Sequence, residues 1–455
     1  MTTSRVVSLY LSQSGLNLYR RCLFAMLALL SANEVYASDD RDVALECISC
    51  NVIFLNIELL RPEFIGLLGN KTMTPNIDQF FSKSLIFHDV TAPAGETFLS
   101  NTAVLTVTPS HQIDIRPIFI DQFKNKKTKN KKKIELQLRA LTSVATILKN
   151  AGYKTISINQ GGRAGKAVFL DRGFDEYSQW SSDLLFEDMV EIIKSSLEKV
   201  GDQKFFLLFR PTYLHNHQYR RPIDSKLALP ADSVIRNYSY KVGDSKKKEG
   251  LFLRKKRNLS EERKRRVERE IYSGQVQYGD FIIKKLFDSL GADLLKRTII
   301  VLYANHGTGL GDNNIFKHGT AYQSSVNVPL LIRMPGMEKA VHVRDPVGLL
   351  NLVPTILKMV NIKTDHGIPI ETYDLVISGQ AEKDRVFYGR NGFDEFIRYN
   401  NWKYMVQYGR FGKLFNLESD PGETIDLVEK EPMISRKLAA FLLQYKSGLL
   451  KEKLQ

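Results

Sequence analysis

The run Thr298-Ile299-Ile300-Val301-Leu302-Tyr303-Ala304-Asn305-His306-Gly307 constrains this chain more than any other stretch. Five apolar residues in succession, from Ile299 to Tyr303, read as a strand buried on both faces, the mark of a parallel sheet covered by helices. The polar pair Asn305-His306 falls where that strand stops and a glycine-bearing loop begins, the end of an open α/β sheet at which ligands and metals sit. Downstream, Lys317-His318-Gly319-Thr320-Ala321-Tyr322 leads into Val328-Pro329-Leu330-Leu331-Ile332-Arg333, a second buried strand that follows too closely for a domain break.

The same texture recurs along the chain. Residues 52–57 read as a strand ending at Glu58, and Thr74-Pro75-Asn76 opens a helix with proline just inside its start. Residues 143–150 form a helix that ends at Ala151-Gly152-Tyr153 and feeds a strand at 154–158; residues 205–209 form an all-apolar strand, and 270–290 a helix. From about Thr364 the segments shorten and alternate, at 386–388 and 402–406, before a final helix at 433–449. The expected fold is therefore α/β: a central, mostly parallel sheet flanked by helices on both faces across residues 38–363, and a small antiparallel sheet with a helix across 364–455.

With 455 residues and 43% hydrophobic content, the chain can build one large domain and a smaller appendage. Near its start, Arg20-Arg21 precede the apolar run Cys22 to Leu30, and Val35-Tyr36-Ala37 follow. That layout reads as a signal peptide over residues 1–37, so the protein is expected to be exported, to a periplasm or the outside; a retained membrane anchor is the alternative, although the run is short for a bilayer. The formal charge is +15, concentrated near 122–135, with seven lysines between 124 and 133, and near 220–266. Such runs are ordinarily solvated insertions; the functional alternative is attraction to anionic lipid or polysaccharide, including a membrane surface. Export argues against nucleic acid as a partner. Cys47 and Cys50 are expected to pair as a disulfide in an oxidising compartment, and their place before a strand argues against thiol catalysis.

Several motifs, in order, resemble those of the sulfatase family of the alkaline phosphatase superfamily. They are Asn51-Val52-Ile53-Phe54-Leu55-Asn56-Ile57-Glu58-Leu59-Leu60-Arg61, Thr74-Pro75-Asn76-Ile77-Asp78, Ala151-Gly152-Tyr153-Lys154-Thr155, Asp171-Arg172-Gly173-Phe174-Asp175, Asn351-Leu352-Val353-Pro354-Thr355 and Leu414-Phe415-Asn416-Leu417-Glu418-Ser419-Asp420-Pro421-Gly422-Glu423. The last is very specific for the family's C-terminal subdomain. The resemblance implies a metal-dependent enzyme acting on a sulfate or phosphate ester. Sulfatases convert a Cys or Ser in a Cys/Ser-x-Pro-x-Arg motif to formylglycine, whereas here Thr97 stands at that position, Leu99 at the proline and Asn101 at the arginine, so no formylglycine forms. Gly95-Glu96-Thr97, Glu58 and His318-Gly319-Thr320-Ala321-Tyr322 instead resemble the phosphoethanolamine transferases, which use a threonine nucleophile. Two departures weaken the match: Asn305 replaces a family aspartate, and Asn159-Gln160-Gly161-Gly162 replaces a sulfate-gripping Gly-Lys-x-His.

A threonine hydroxyl is a poor nucleophile until its proton is removed or a metal binds it. The resemblance accordingly implies one divalent metal ion, zinc or calcium, held by Glu58, Thr97, Asn305 and His306. His318 would serve the transferring group or the leaving group, and His215 or His217 the substrate side. Each residue also has a plainer reading: Thr97 as a helix N-cap, Glu58 as a solvated strand end, His306 as a structural hydrogen-bonding group. The expectation is an exported sulfatase-like hydrolase or transferase acting on an anionic ester through Thr97. The alternative is a catalytically weakened homologue that binds an anionic glycan or lipid through its basic insertions.

Overall fold

The computed structural model describes residues 46–69, 73–113, 138, 140–160, 170–180, 186–215, 260–363, 385–392, 394–407, 409 and 411–448. The expected signal peptide, the lysine run at 124–133, the basic stretch up to residue 259 and His217 lie outside them. No helix among the described residues is long and apolar enough to cross a membrane.

Nine strands set the frame of the larger part: β1 (Asn51–Asn56), β2 (Leu85–Phe87), β3 (Val90–Thr91), β4 (Lys154–Gln160), β5 (Glu176–Trp180), β6 (Phe205–Arg210), β7 (Thr298–Tyr303), β8 (Leu330–Arg333) and β9 (Val341–Val343). Eight of them make one sheet in the order β5-β4-β6-β1-β7-β8-β2-β9. From β5 through β7 every pairing is parallel; β8 runs antiparallel to both β7 and β2, and β9 parallel to β2. β1, β6 and β7 are buried at every position, as their near-continuous apolar sequences require of strands covered on both faces. Helices Pro75–Phe80, Phe186–Val200 and Glu261–Leu290 pack together as one group flanking the sheet, and Thr97–Thr106, Val144–Asn150 and Leu352–Met359 form another. Cys47 and Cys50 are joined, as expected, just ahead of β1.

The helix expected over 270–290 begins earlier, at Glu261. Ser260 caps it by accepting the Arg263 N–H at 3.3 Å, and Glu261 and Glu262 complement the positive end of the helix. The basic residues at 263–266 therefore lie on a helix surface rather than in an insertion, with Lys264 paired to Glu261 at 2.6 Å and Arg266 to Glu270 at 2.9 Å.

β10 (Val347–Gly348) pairs with β3 beside the main sheet. The C-terminal part is an antiparallel meander of β11 (Val386–Asn391), β12 (Asp394–Tyr399), β13 (Trp402–Gln407) and β14 (Phe411–Asn416). Period-two alternation gives it two apolar faces. Ile397 and Leu414 pack on Leu438 and Leu442 of the helix Pro432–Lys446, while Phe396, Met405 and Phe415 pack on Ala321, Tyr322 and Val326. The second contact seats the loop that carries His318 against the end of the main sheet.

Candidate active site

Glu58 lies just past the C-terminal end of β1 and is 1% exposed, so it is not a solvated strand end. The backbone next to it is fixed tightly. Leu59 adopts a φ of 72°, a left-handed conformation that a leucine adopts only under constraint. Its N–H donates to the carbonyl of His306 at 3.0 Å, and its carbonyl accepts from the Tyr272 hydroxyl at 2.7 Å.

Thr97 is the first residue of the helix Thr97–Thr106, and Glu96, not Thr97, is the N-cap: the Glu96 carboxylate accepts the Leu99 N–H at 3.2 Å. The Thr97 hydroxyl is thereby left for other partners. It bonds Glu58 Oε1, and its Oγ1 lies 3.1 Å from His306 Nε2. The loop can come this close because residue 95 is glycine; a Cβ there would lie 2.1 Å from the Thr320 carbonyl oxygen. The Gly319 N–H in turn donates to the Gly95 carbonyl at 2.7 Å, tying the His318 loop to the Thr97 turn.

His306 is wholly buried. Its Nδ1 lies 2.8 Å from the Gly307 carbonyl oxygen, which only accepts, so Nδ1 carries a proton, and Nε2 is the ring atom that faces the Thr97 hydroxyl. Asn56, at the end of β1, braces the arrangement: its amide donates to Asn101 Oδ1 at 2.7 Å and its oxygen accepts the Asn305 N–H at 3.2 Å. Asn101, standing at the family's arginine position, donates to the Thr97 carbonyl at 2.9 Å, and Ser100 donates to the Asn305 carbonyl at 2.5 Å.

One participant was not foreseen from the sequence. Arg210, the last residue of β6 and 2% exposed, donates from Nη1 to Glu58 Oε2 and from Nη2 to the Gln160 carbonyl at 2.7 Å. A lone arginine closing Phe205-Phe206-Leu207-Leu208-Phe209, at the sheet end where ligands sit, was the signal available. His215 Nε2 lies 2.9 Å from Glu58 Oε1. Burial pushes the Glu58 carboxyl up, but Arg210 and His215, the latter also through its hydrogen bond, outweigh it and hold the group well below the usual carboxylate range. His318 is half-buried, its ring centroid 5.4 Å from that of His215 and 4.9 Å from that of His306. Five of the six predicted residues thus converge through side-chain contacts, and Asn305 adjoins them through its backbone.

The expected metal is a harder fit. Glu58 is the only carboxylate among the four proposed ligands, and Arg210, His215 and Thr97 already engage both its oxygens. Asn305 keeps a buried amide with neither Oδ1 nor Nδ2 hydrogen-bonded, an open donor and acceptor that carries no charge. A dication there would stand beside a buried guanidinium with a single carboxylate between them. The donor set does not suit it.

The family model for sulfatases matches residues 50–362 of the chain. Choline-sulfatase of Rhizobium meliloti is 28% identical over 195 residues, 40% of this chain and 38% of that protein. Human arylsulfatase K is 28% identical over 165 residues, 32% of this chain and 30% of that protein. The matched stretches therefore span well under two thirds of these relatives. Among solved structures, a protein in complex with its substrate D-glucosamine-2-N,6-O-disulfate superposes with a TM-score of 0.65 at 16% identity, covering 90% of this chain and all of that one. A protein of the alkaline phosphatase superfamily from Vibrio parahaemolyticus gives 0.61 at 18% identity, covering 94% and 95%.

Proposed function

Because the chain belongs to the sulfatase family, we propose that it is an exported enzyme that cleaves or transfers an anionic ester, sulfate or phosphate, with Thr97 as the nucleophile. The observation that carries this reading is the buried Thr97 hydroxyl placed between two proton acceptors, Glu58 Oε1 and His306 Nε2, the latter at 3.1 Å. As Oγ1 attacks the sulfur or phosphorus, its proton passes to His306 Nε2 and the bond to the ester oxygen breaks. His318 stands on the more open side of the cluster and donates a proton to the departing oxygen. Arg210 and the first turn of the helix Thr97–Thr106 supply positive potential for the charge on the transferring group. Water or an acceptor alcohol then releases that group from Thr97.

A sulfated saccharide is the first substrate to try, since a protein of like fold has been solved with one. The Cys47–Cys50 disulfide is in keeping with export. The test is a panel of sulfate esters, phosphomonoesters and phosphodiesters offered to the parent and to Thr97→Val. Turnover by the parent that the valine variant lacks supports the reading. Equal turnover by both would make Thr97 structural. No turnover by the parent, with salt-sensitive binding of sulfated glycan, would favour a weakened homologue.

A further inference from the structure

We infer that Arg210 takes the place of the divalent ion in this site, so that the described pocket is complete without a metal. Four features meet at this point. Both Glu58 oxygens are already engaged, Oε2 by Arg210 and Oε1 by Thr97 and His215, so no lone carboxylate is held ready for a cation. The guanidinium is pinned from its other side, where Nη2 donates to the Gln160 carbonyl at 2.7 Å, and at 2% exposure it has no solvent to swing into. Gln160 is itself held, its Oε1 accepting the Thr212 N–H at 2.9 Å. Finally, Asn305 offers a neutral amide, and no group of three or more His, Cys, Asp or Glu side chains among the described residues is arranged to hold a metal.

A dication gives up much hydration on entering a buried site and needs anionic ligands to offset that loss. Here one carboxylate faces one guanidinium, and the pair is already balanced. The buried Arg210 Nε–H and Asn305 Nδ2–H remain unbonded, two donors left for an anionic oxygen. Arginine suits this duty because its charge persists at any working pH and its planar fork binds two partners at once.

The test is metal content. The full chain, purified without chelator and dialysed against metal-free buffer, is expected to hold far less than one zinc or calcium per chain, with a Tm that neither EDTA nor added calcium or zinc changes. The paired variant Arg210→Met/Asn305→Asp, with two carboxylates and no guanidinium, is expected to take up one ion per chain and to gain Tm when it does. One ion per wild-type chain, with a lower Tm on its removal, would overturn the inference, as would a folded paired variant that binds none. If that variant does not fold, the wild-type metal content and EDTA melts decide the matter alone. Neither readout needs turnover, so an inert parent would sink the ester reading and leave this one standing, while a metal-bound parent that still needs Thr97 would do the reverse.

Discussion

Two buried ion pairs organise this molecule, and they are built for different ends. Glu423 and Lys403 meet at 2.7 Å where β13 faces the Asp420-Pro421-Gly422-Glu423 turn, both wholly buried. Every neighbour there is structural: the Gln323 N–H donates to Glu423 Oε2 at 2.5 Å, Lys403 donates to Gln323 Oε1 at 3.2 Å, and its ammonium lies 4.9 Å from the Phe396 ring centroid. Glu58 and Arg210 are as deeply buried, yet their neighbours are a hydroxyl and the histidines His215 and His306. Burial of a charged pair is common to both, so burial alone does not mark a reactive site. What marks it is nucleophilic and proton-transferring groups sharing the same carboxylate.

The largest effect expected is on turnover. Thr97→Val should cost about a thousandfold or more in kcat, read by steady-state assay on whichever ester the parent cleaves, because the attacking atom is gone. Lys403→Met, where it folds, should leave kcat near that of the parent. A collapse of kcat in a folded Lys403→Met would break the contrast between the two pairs.

Stability should respond alike in both places. Arg210→Met and Lys403→Met each strand a buried carboxylate, at a cost of about 3–5 kcal/mol in urea unfolding. Removing the carboxylate as well, as Arg210→Met/Glu58→Leu or Lys403→Met/Glu423→Leu, should recover most of that loss, since apolar replacements often match a buried pair. Only the first double variant should be inactive.

A third pair, less buried, sharpens the comparison through pH. Burial raises the Asp312 carboxyl, but Arg61 outweighs it, with help from Arg269, and brings the group down from 3.8 to about 2. A depressed carboxylate adds stability above its unfolded value and loses it as pH falls through the folded one. Asp312 should therefore contribute about 2 kcal/mol above pH ~4, a contribution that is lost as pH falls through ~2. Asp312→Asn should flatten that part of the stability profile; an unchanged slope would show the ion pair to be thermodynamically silent.

The smallest effect expected is at the cap. Glu96→Ala removes the acceptor for the Leu99 N–H and should cost about 1 kcal/mol, measured by urea unfolding. If kcat also falls while the fold holds, the cap positions Thr97 as well as ending the helix.

The apolar runs of β1, β6 and β7 showed the parallel sheet in advance, because strands covered on both faces must be apolar throughout. The short alternating segments showed the C-terminal meander for the converse reason. Glu58, Thr97, Asn305 and His306 were legible because each closes or follows a recognisable motif. Arg210 was not: its partner Glu58 lies 152 residues away, and they meet only because β6 and β1 are neighbours in the sheet. Strand order is a tertiary fact that local pattern does not carry. The start of the helix at Glu261 was missed for a different reason: its first turns are so densely charged that they show little apolar periodicity, and the Ser260 cap was the surviving signal.

The central claim, that chemistry passes through the Thr97 oxygen, is tested most directly by trapping the intermediate. Protein quenched during turnover, digested and examined by mass spectrometry should carry one sulfo or phospho group on the peptide containing Thr97, absent from Thr97→Val. Steady turnover with that peptide unmodified at every quench time, together with an active Thr97→Val, would contradict the account.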